Sequence, residues 1–552
     1  MTHWRLRTVL PILASLAACG GGNEFDVGST VTASGPIGGE SGTELAEVQV
    51  LHWGNAADPQ TMDPHRGEGV PGSNIQRDLF EGLVNEAPDG ELIPGAAESW
   101  QMSADGRTYT FTLREDARWS NGDAVVAEDF VYSLRRSLDP VTLSRYTFIL
   151  NPILNATEIA SGERPTTDLG VQALDQYTLE IRLENATPYF LGLLTHSASY
   201  PVHRASIEAH GEQHTRPGNL VSNGAFQLKD WVVQSHVQLV RNPYYWDNDE
   251  TILDEVFFHN TEDKSGEIRR YRANELDITY DSLAKRQLPW LRENLPDELV
   301  IAPYLGSYYY GFNVTQPPFK DKPELRRALA LAIDRDIITQ QVITAGEISS
   351  YGWVPPVNGY VGQQMREASW TQAEREEEAR RLYALAGYSA ENPLVTEIMY
   401  NTEEDHKRIA LAISAMWKQV LGVDASILNQ EWKVFLDTRN QMIDTQVYRA
   451  GWIGDYNDAF TFAELFQSGG GLNNTGYSSE TYDEFLRLAA MEGDLVRRAE
   501  YLQRAEAVLL DDLPILPIYF YVTSKLVKPW VGGLASNIMD HNRSKDYYIL
   551  KH

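Results

Sequence analysis

The chain has 552 residues, 47 basic against 77 acidic side chains for a formal net charge of −30, and a single cysteine. The negative charge is spread along the sequence and would repel phosphates, which argues against a nucleic-acid partner. With 43% hydrophobic residues, including 13 Trp, 28 Tyr and 17 Phe, the chain can bury two or three domains, and one cysteine excludes a disulfide framework.

At the N-terminus, Arg5 and Arg7 precede an apolar run from Val9 to Leu16, followed by Leu16-Ala17-Ala18-Cys19-Gly20. This order reads as a secretory signal ending in a lipid-attachment motif. The apolar run is well short of the ~20 residues needed to cross a bilayer. Processing of the signal, residues 1–19, is therefore expected to leave Cys19 as a lipid-bearing N-terminus on the outer face of a bacterial membrane, periplasmic or cell-surface. Residues 20–47 are rich in Gly, Ser, Thr and acidic groups and read as a flexible tether.

The globular body begins near residue 48. Gly67-Glu68-Gly69-Val70-Pro71-Gly72 matches G-x-G-x-x-G literally, yet it follows polar Asp63-Pro64-His65-Arg66 rather than a strand, and Pro71 interrupts it, so a dinucleotide loop is not expected. Tyr109 to Leu113 and Thr178 to Leu183 alternate as strands. His210 and His214 stand four apart without the H-E-x-x-H order and close to Pro217, which favours a solvated loop over a metal site. Tyr308 to Phe312 reads as a strand, and Pro323 opens a helix carrying Leu325, Ala328, Leu329, Ala332 and Ile333 on one face. A second helix from Asp405 places Ile409, Ala412, Ile413, Met416, Trp417, Val420 and Leu421 in a stripe that Gly422 stops. A third spans about Arg498 to Leu510, ahead of a strand from Ile515 to Tyr521. The fold class is α/β with mixed sheets in more than one lobe. Neither G-x-S-x-G nor G-x-x-x-x-G-K occurs, and the one cysteine is committed to lipid, so no cofactor and no catalytic nucleophile is expected.

Between the last two helices, Arg449 precedes Gly451-Trp452-Ile453-Gly454-Asp455-Tyr456-Asn457. A polar turn after a strand accounts for this run. So does a site for an extended peptide, whose amine, backbone and carboxylate would each find a partner here.

Taken together, Leu79-Phe80-Glu81-Gly82-Leu83, Trp119-Ser120-Asn121-Gly122-Asp123, Arg241-Asn242-Pro243-Tyr244-Tyr245-Trp246 and Asn429-Gln430-Glu431-Trp432-Lys433, in that order, resemble the oligopeptide-binding proteins of bacterial ABC importers. The resemblance runs from about residue 50 to His552. It implies a two-lobed periplasmic-binding-protein clamp, class II-like, with two hinge strands and an extra subdomain. Lobe I would comprise 48–80, 205–306 and 523–552, the extra subdomain 81–204, and lobe II 307–522. It also implies a monomer that binds short peptides without catalysis and works with a permease and an ATPase.

Residue by residue, Asp455 matches the partner of the peptide amine. Glu68, Gly69 and Val70, with Gly451, Trp452 and Ile453, match the two segments that sandwich the peptide backbone. Trp432, Leu436, Tyr146, Tyr304 and Tyr309 match pocket walls, while His406, Arg439 and Arg449 match groups meeting the peptide carboxylate, His406 chiefly when protonated. Two departures stand out. Ile343 replaces a lysine common in the family, and Gly306 and Ile453 occupy positions where periplasmic members often carry a disulfide. The same clamp specialised for a cell-wall murein peptide, with a carboxylate on Arg439, and an envelope peptide hydrolase are the alternative functions.

Overall fold

The computed structural model describes residues 44–552, apart from 68, 281, 282, 358, 444 and 471 and the side chains of 432 and 433. Cys19, the signal, most of the tether and Glu68 therefore lie outside the described residues, as does the Trp432 side chain. All that follows belongs to the unit Ser34–His552.

Three sheets organise the chain. The first has four strands in the order Val50–Gly54, Glu255–His259, His236–Arg241, Phe226–Val232, the first pair parallel and the others antiparallel. Its period-two alternation turns Leu51, Trp53, Val256, Phe258, Val237 and Leu239 into one core and leaves His52, Phe257 and His259 on the opposite face. The second sheet is an antiparallel set of Ala97–Met102, Thr108–Leu113, Thr178–Arg182 and Val171–Ala173. The helix Ala127–Leu138 contributes Phe130, Val131, Leu134 and Leu138 to the same core as this sheet, at helical spacing.

The third sheet has six strands: Ile348–Ser349, Ile515–Leu526, Leu299–Phe312, Val447–Ile453, Val395–Asn401 and Asp424–Gln430. The helix Glu404–Leu421 supplies Ile409, Ile413 and Trp417 to the core of this sheet; Glu403 caps its start by accepting from the His406 N–H at 2.9 Å, and Gly422 ends it with φ 75°. The helix at Pro323 runs to Leu331 and the last predicted helix spans Leu495–Asp512.

Two long strands, Leu299–Phe312 and Ile515–Leu526, pair antiparallel from Leu299 opposite Leu526 to Gly311 opposite Ile515, with register shifts between Pro303 and Ser307 and between Tyr308 and Tyr309. One end of the pair packs with Val300 and Val527 beside the first sheet, while Leu305, Tyr308, Ile515 and Ile518 lie in the core of the third. Both strands thus pass from one hydrophobic core to another.

Candidate functional site

The strand Val447–Ile453 lies along the long strand Leu299–Phe312 over its whole length, Ile453 opposite Gly306 and Val447 opposite Phe312. On its other edge it meets Val395–Asn401 only at Val447 and Tyr448. From Arg449 onward that edge therefore has no strand partner among the described residues, and Gly451 and Ile453 are exposed. An unpaired edge offers its N–H and C=O groups to an incoming extended chain.

At the end of this strand Asp455 borders a cavity of about 250 Å³, together with Gly69, Val70, Tyr146, Tyr304 and Ile453. Gly69, at φ 85°, turns the chain into the helix Val70–Leu79 and so carries its own backbone to the cavity wall. Burial raises the Asp455 carboxyl to about 6, and none of the described cations forms an ion pair with it. A second cavity of about 420 Å³ meets Asp455 as well and is lined by Trp452, Tyr456, Tyr189 and Glu464. Burial lifts Glu464 to about 7; the Tyr456 hydroxyl, which donates to it at 3.0 Å, works the other way, and the charges of Asp455 and Asp458 add to the rise.

Arg449 stands in a separate buried cluster. Its Nη1 donates to Asn401 Oδ1 at 3.2 Å and its Nη2 to the Tyr521 hydroxyl at 3.1 Å, with Cζ 4.9 Å from the Tyr308 ring. Its Nε is buried without a hydrogen-bond partner, and no carboxylate of the described residues pairs with it. Tyr308 links this guanidinium to His406, whose Nδ1 lies 3.3 Å from the Tyr308 hydroxyl. Arg439, on the helix Trp432–Gln441, has a buried Nε without a partner and holds its Cζ 5.9 Å from the Phe435 ring. Buried guanidinium N–H groups without acceptors suit a planar carboxylate.

A family model for bacterial extracellular solute-binding proteins, family 5 (middle), matches residues 91–474. The chain belongs to this family. It is 43% identical to the periplasmic oligopeptide-binding protein OppA of Escherichia coli (strain K12), covering 93% of this chain and 94% of that one. Identity to the periplasmic murein peptide-binding protein MppA of the same strain is 40%, over 93% and 95%. Among solved structures, the unliganded open form of MppA superposes with a TM-score of 0.83 at 39% identity, covering 93% of this chain and 99% of that one. The fold is that of these solute-binding proteins, a mixed α/β two-lobed clamp.

Within this family architecture, several residues stand differently from the sequence-based expectation. Tyr309 does not line the cavity. It lies in the core of the third sheet, edge-on to Trp353 at 4.9 Å and Phe466 at 6.0 Å, because strand alternation turns it away from Tyr308 and Tyr310. His406 is expected to act protonated, but burial first, then the charges of Arg449 and Lys285, hold it down at about 2, so it is a neutral hydrogen-bonding group. Leu436 is half-buried against the main core. Ile343, where a lysine is common, is 1% exposed. His214 does not sit in open solvent: its Nε2 lies 3.7 Å from the buried Asp63.

Gly306 and Ile453 are directly opposed in the ladder, and a Cβ added at Gly306 would collide with Ile453 Cδ1. One isoleucine side chain thus fills the space above the glycine. Tyr308, Tyr521 and Asn401, which surround Arg449, were not anticipated as site residues. For Tyr308 the signal was present, since Arg449 pairs with Tyr310 in register and period two places Tyr308 and Tyr310 on one face.

Proposed function

We propose that this solute-binding protein captures short peptides for an ABC importer, holding them by their termini and backbone. The observation that carries the reading is Asp455: a half-buried carboxylate beside a cavity, in no ion pair with a described cation, next to a strand edge that no described strand covers. A peptide supplies both, an ammonium for the acid and an extended backbone for the edge. Each backbone hydrogen bond adds only about 0.5–1.5 kcal/mol, yet every peptide offers the same ones, so recognition is general in sequence. Arg449, Arg439 and a neutral His406 serve the ligand carboxylate at positions set by peptide length. OppA, by its name a binder of oligopeptides, supports this reading.

Capture occurs as lobe I (48–80, 205–306, 523–552), with the extra subdomain 81–204, and lobe II (307–522) close through the two long strands. The protein acts as a monomer tethered through Cys19 and delivers peptide to a membrane permease driven by an ATPase. The superposition with the murein tripeptide-binding protein favours a second reading, in which the preferred ligand is a cell-wall peptide. Mass spectrometry of small molecules released from the freshly purified protein tests both. A mixture of peptides about two to five residues long supports general capture, one dominant species containing diaminopimelate supports the second reading, and an empty protein contradicts both. Incubation with a labelled peptide returns it intact if the protein is a receptor and cleaved if it is a hydrolase.

A further inference from the structure

The cavity beside Asp455 also exposes Arg77. The helix Val70–Leu79 brings Val70, Ser73 and Arg77 to that cavity at the i, i+3, i+7 spacing of one helical face. Arg77 is 9% exposed. Its Nη2 donates to Asn74 Oδ1 at 2.7 Å, its Nε is buried with no partner, and it forms no ion pair with any described residue.

Of the acids near it, Asp78 accepts from the Ser544 N–H at 2.8 Å through Oδ1 while its Oδ2 is buried without a hydrogen-bond partner, and Glu86 meets His541 Nδ1 at 2.6 Å. The Arg77 charge favours the ionised form of both, with an ion pair to neither. Asp540, also on the cavity wall, pairs with Lys525 at 2.6 Å. Arg77 forms no ion pair with Asp455, whose rise comes from burial. One cavity of about 250 Å³ therefore presents an acid and a guanidinium on different elements, neither of them in an ion pair with a described residue.

We propose that Arg77 is a second anchoring site, taking a carboxylate carried near the amine end of the ligand, so that the protein favours peptides with an acidic group at the first or second residue. The inference rests on the peptide-binding reading above. With the ammonium held at Asp455, an acidic group on the first two residues is the part of the ligand that enters the same cavity. A guanidinium fork bound to a carboxylate away from bulk water makes two charge-assisted hydrogen bonds, whereas an amide at the same place accepts one and donates badly to a cation.

Titration calorimetry on the ligand-free protein with Glu-Ala-Ala against Gln-Ala-Ala, Ala-Glu-Ala against Ala-Gln-Ala, and Ala-Ala-Ala decides it. The readout is the Glu-to-Gln affinity ratio, which cancels any general effect on the cavity. In the unmodified protein at least one pair should differ about tenfold or more in favour of Glu. In Arg77→Gln the ratio should fall to about one, while Arg77→Lys, with a charge but no fork, should keep part of it. Equal affinities for Glu and Gln peptides in the unmodified protein overturn the inference even if neither variant folds, and so does a preference that survives in Arg77→Gln. If none of the peptides binds the unmodified protein, the peptide-binding reading has failed and this inference falls with it; tight binding of Ala-Ala-Ala with equal Glu and Gln affinities overturns the Arg77 site alone.

Discussion

If Asp455 holds the peptide amine as proposed, stability and ligand binding pull in opposite directions there. Burial raises its carboxyl from the usual value near 3.8 to about 6, so the folded protein prefers it protonated. This contribution to stability is complete below the unfolded value and is lost as pH rises through about 6; at neutral pH a shift of this size corresponds to roughly 3 kcal/mol. Asp455→Asn removes the cost of ionisation. The empty variant should melt a few degrees higher than the parent at pH 7.5, with the gap shrinking toward pH 4, as scanning calorimetry would register. On the proposed reading the same change removes the partner of the peptide amine, and the dissociation constant for tri-alanine should rise at least a hundredfold, given about 3–5 kcal/mol for a broken buried pair. In the parent, affinity should fall up to about tenfold per pH unit below 6, where the ligand amine stays charged and the carboxylate is lost. The variant should show no such slope, since His406 stays neutral over this range. A variant that bound tri-alanine as tightly as the parent would remove Asp455 from the site.

Among the elements, the loop that delivers Gly69 and Val70 hangs on a buried acid. The Asp63 carbonyl accepts from the N–H groups of Arg66 and Gly67, and its carboxylate accepts from the His65 N–H. Arg136, on the helix Ala127–Leu138, donates to that carboxylate through Nη2 at 2.6 Å and Nη1 at 3.1 Å. Burial pushes Asp63 upward, but the Arg136 hydrogen bond and charge, with smaller help from His65 and His214, hold it at about 2. Arg136→Ala should therefore cost about 3–5 kcal/mol in denaturant unfolding and weaken peptide binding through the loosened loop. Arg136→Met with Asp63→Leu should recover stability while leaving affinity low; recovery of both would mean that the loop does not need this acid. None of this pairing was legible in the chain, because the partners lie 73 residues apart and each reads alone as a solvated charge. Pro71, which reads in the sequence only as an interruption of the glycine motif, stands in the first turn of the helix that follows Gly69. The free edge of Val447–Ile453 was not legible either. It exists because Val395–Asn401 leaves that strand after Met399, and no local pattern records where two strands part. The tyrosine run from 308 to 310 was ambiguous for a similar reason: three consecutive aromatics carry no contrast between faces, and the neighbouring strands decide which one is core.

For the whole molecule, the contact between the residue 81–204 segment and the third-sheet core concerns how binding and closure are coupled. Tyr189 stacks on Tyr456 with centroids 5.0 Å apart and planes 7° from parallel, and on Phe460 at 5.2 Å. Arg498 lies 5.1 Å from the Tyr189 ring and is held by Asp458 at 2.7 and 2.8 Å. Tyr456 even belongs to the core built mainly from residues 83–194, although it sits three residues beyond the end of the strand Val447–Ile453. The two walls of the second cavity are thus joined by aromatic stacking within the protein itself. Such a contact acts as a ligand that is always present, raising the population able to bind without touching the peptide. An aromatic pair is worth about 0.5–1.5 kcal/mol beyond its buried area, so Tyr189→Ala should lower affinity by up to about tenfold. The loss should be the same for tri-alanine, charged tripeptides and longer peptides, because it acts on the equilibrium of the protein and not on a ligand group. Small-angle scattering of the empty variant should register a larger radius of gyration, while the peptide-saturated variant should match the parent. A loss confined to some peptides would place Tyr189 in direct contact with ligand, and unchanged affinity with unchanged scattering would leave the stack as packing alone.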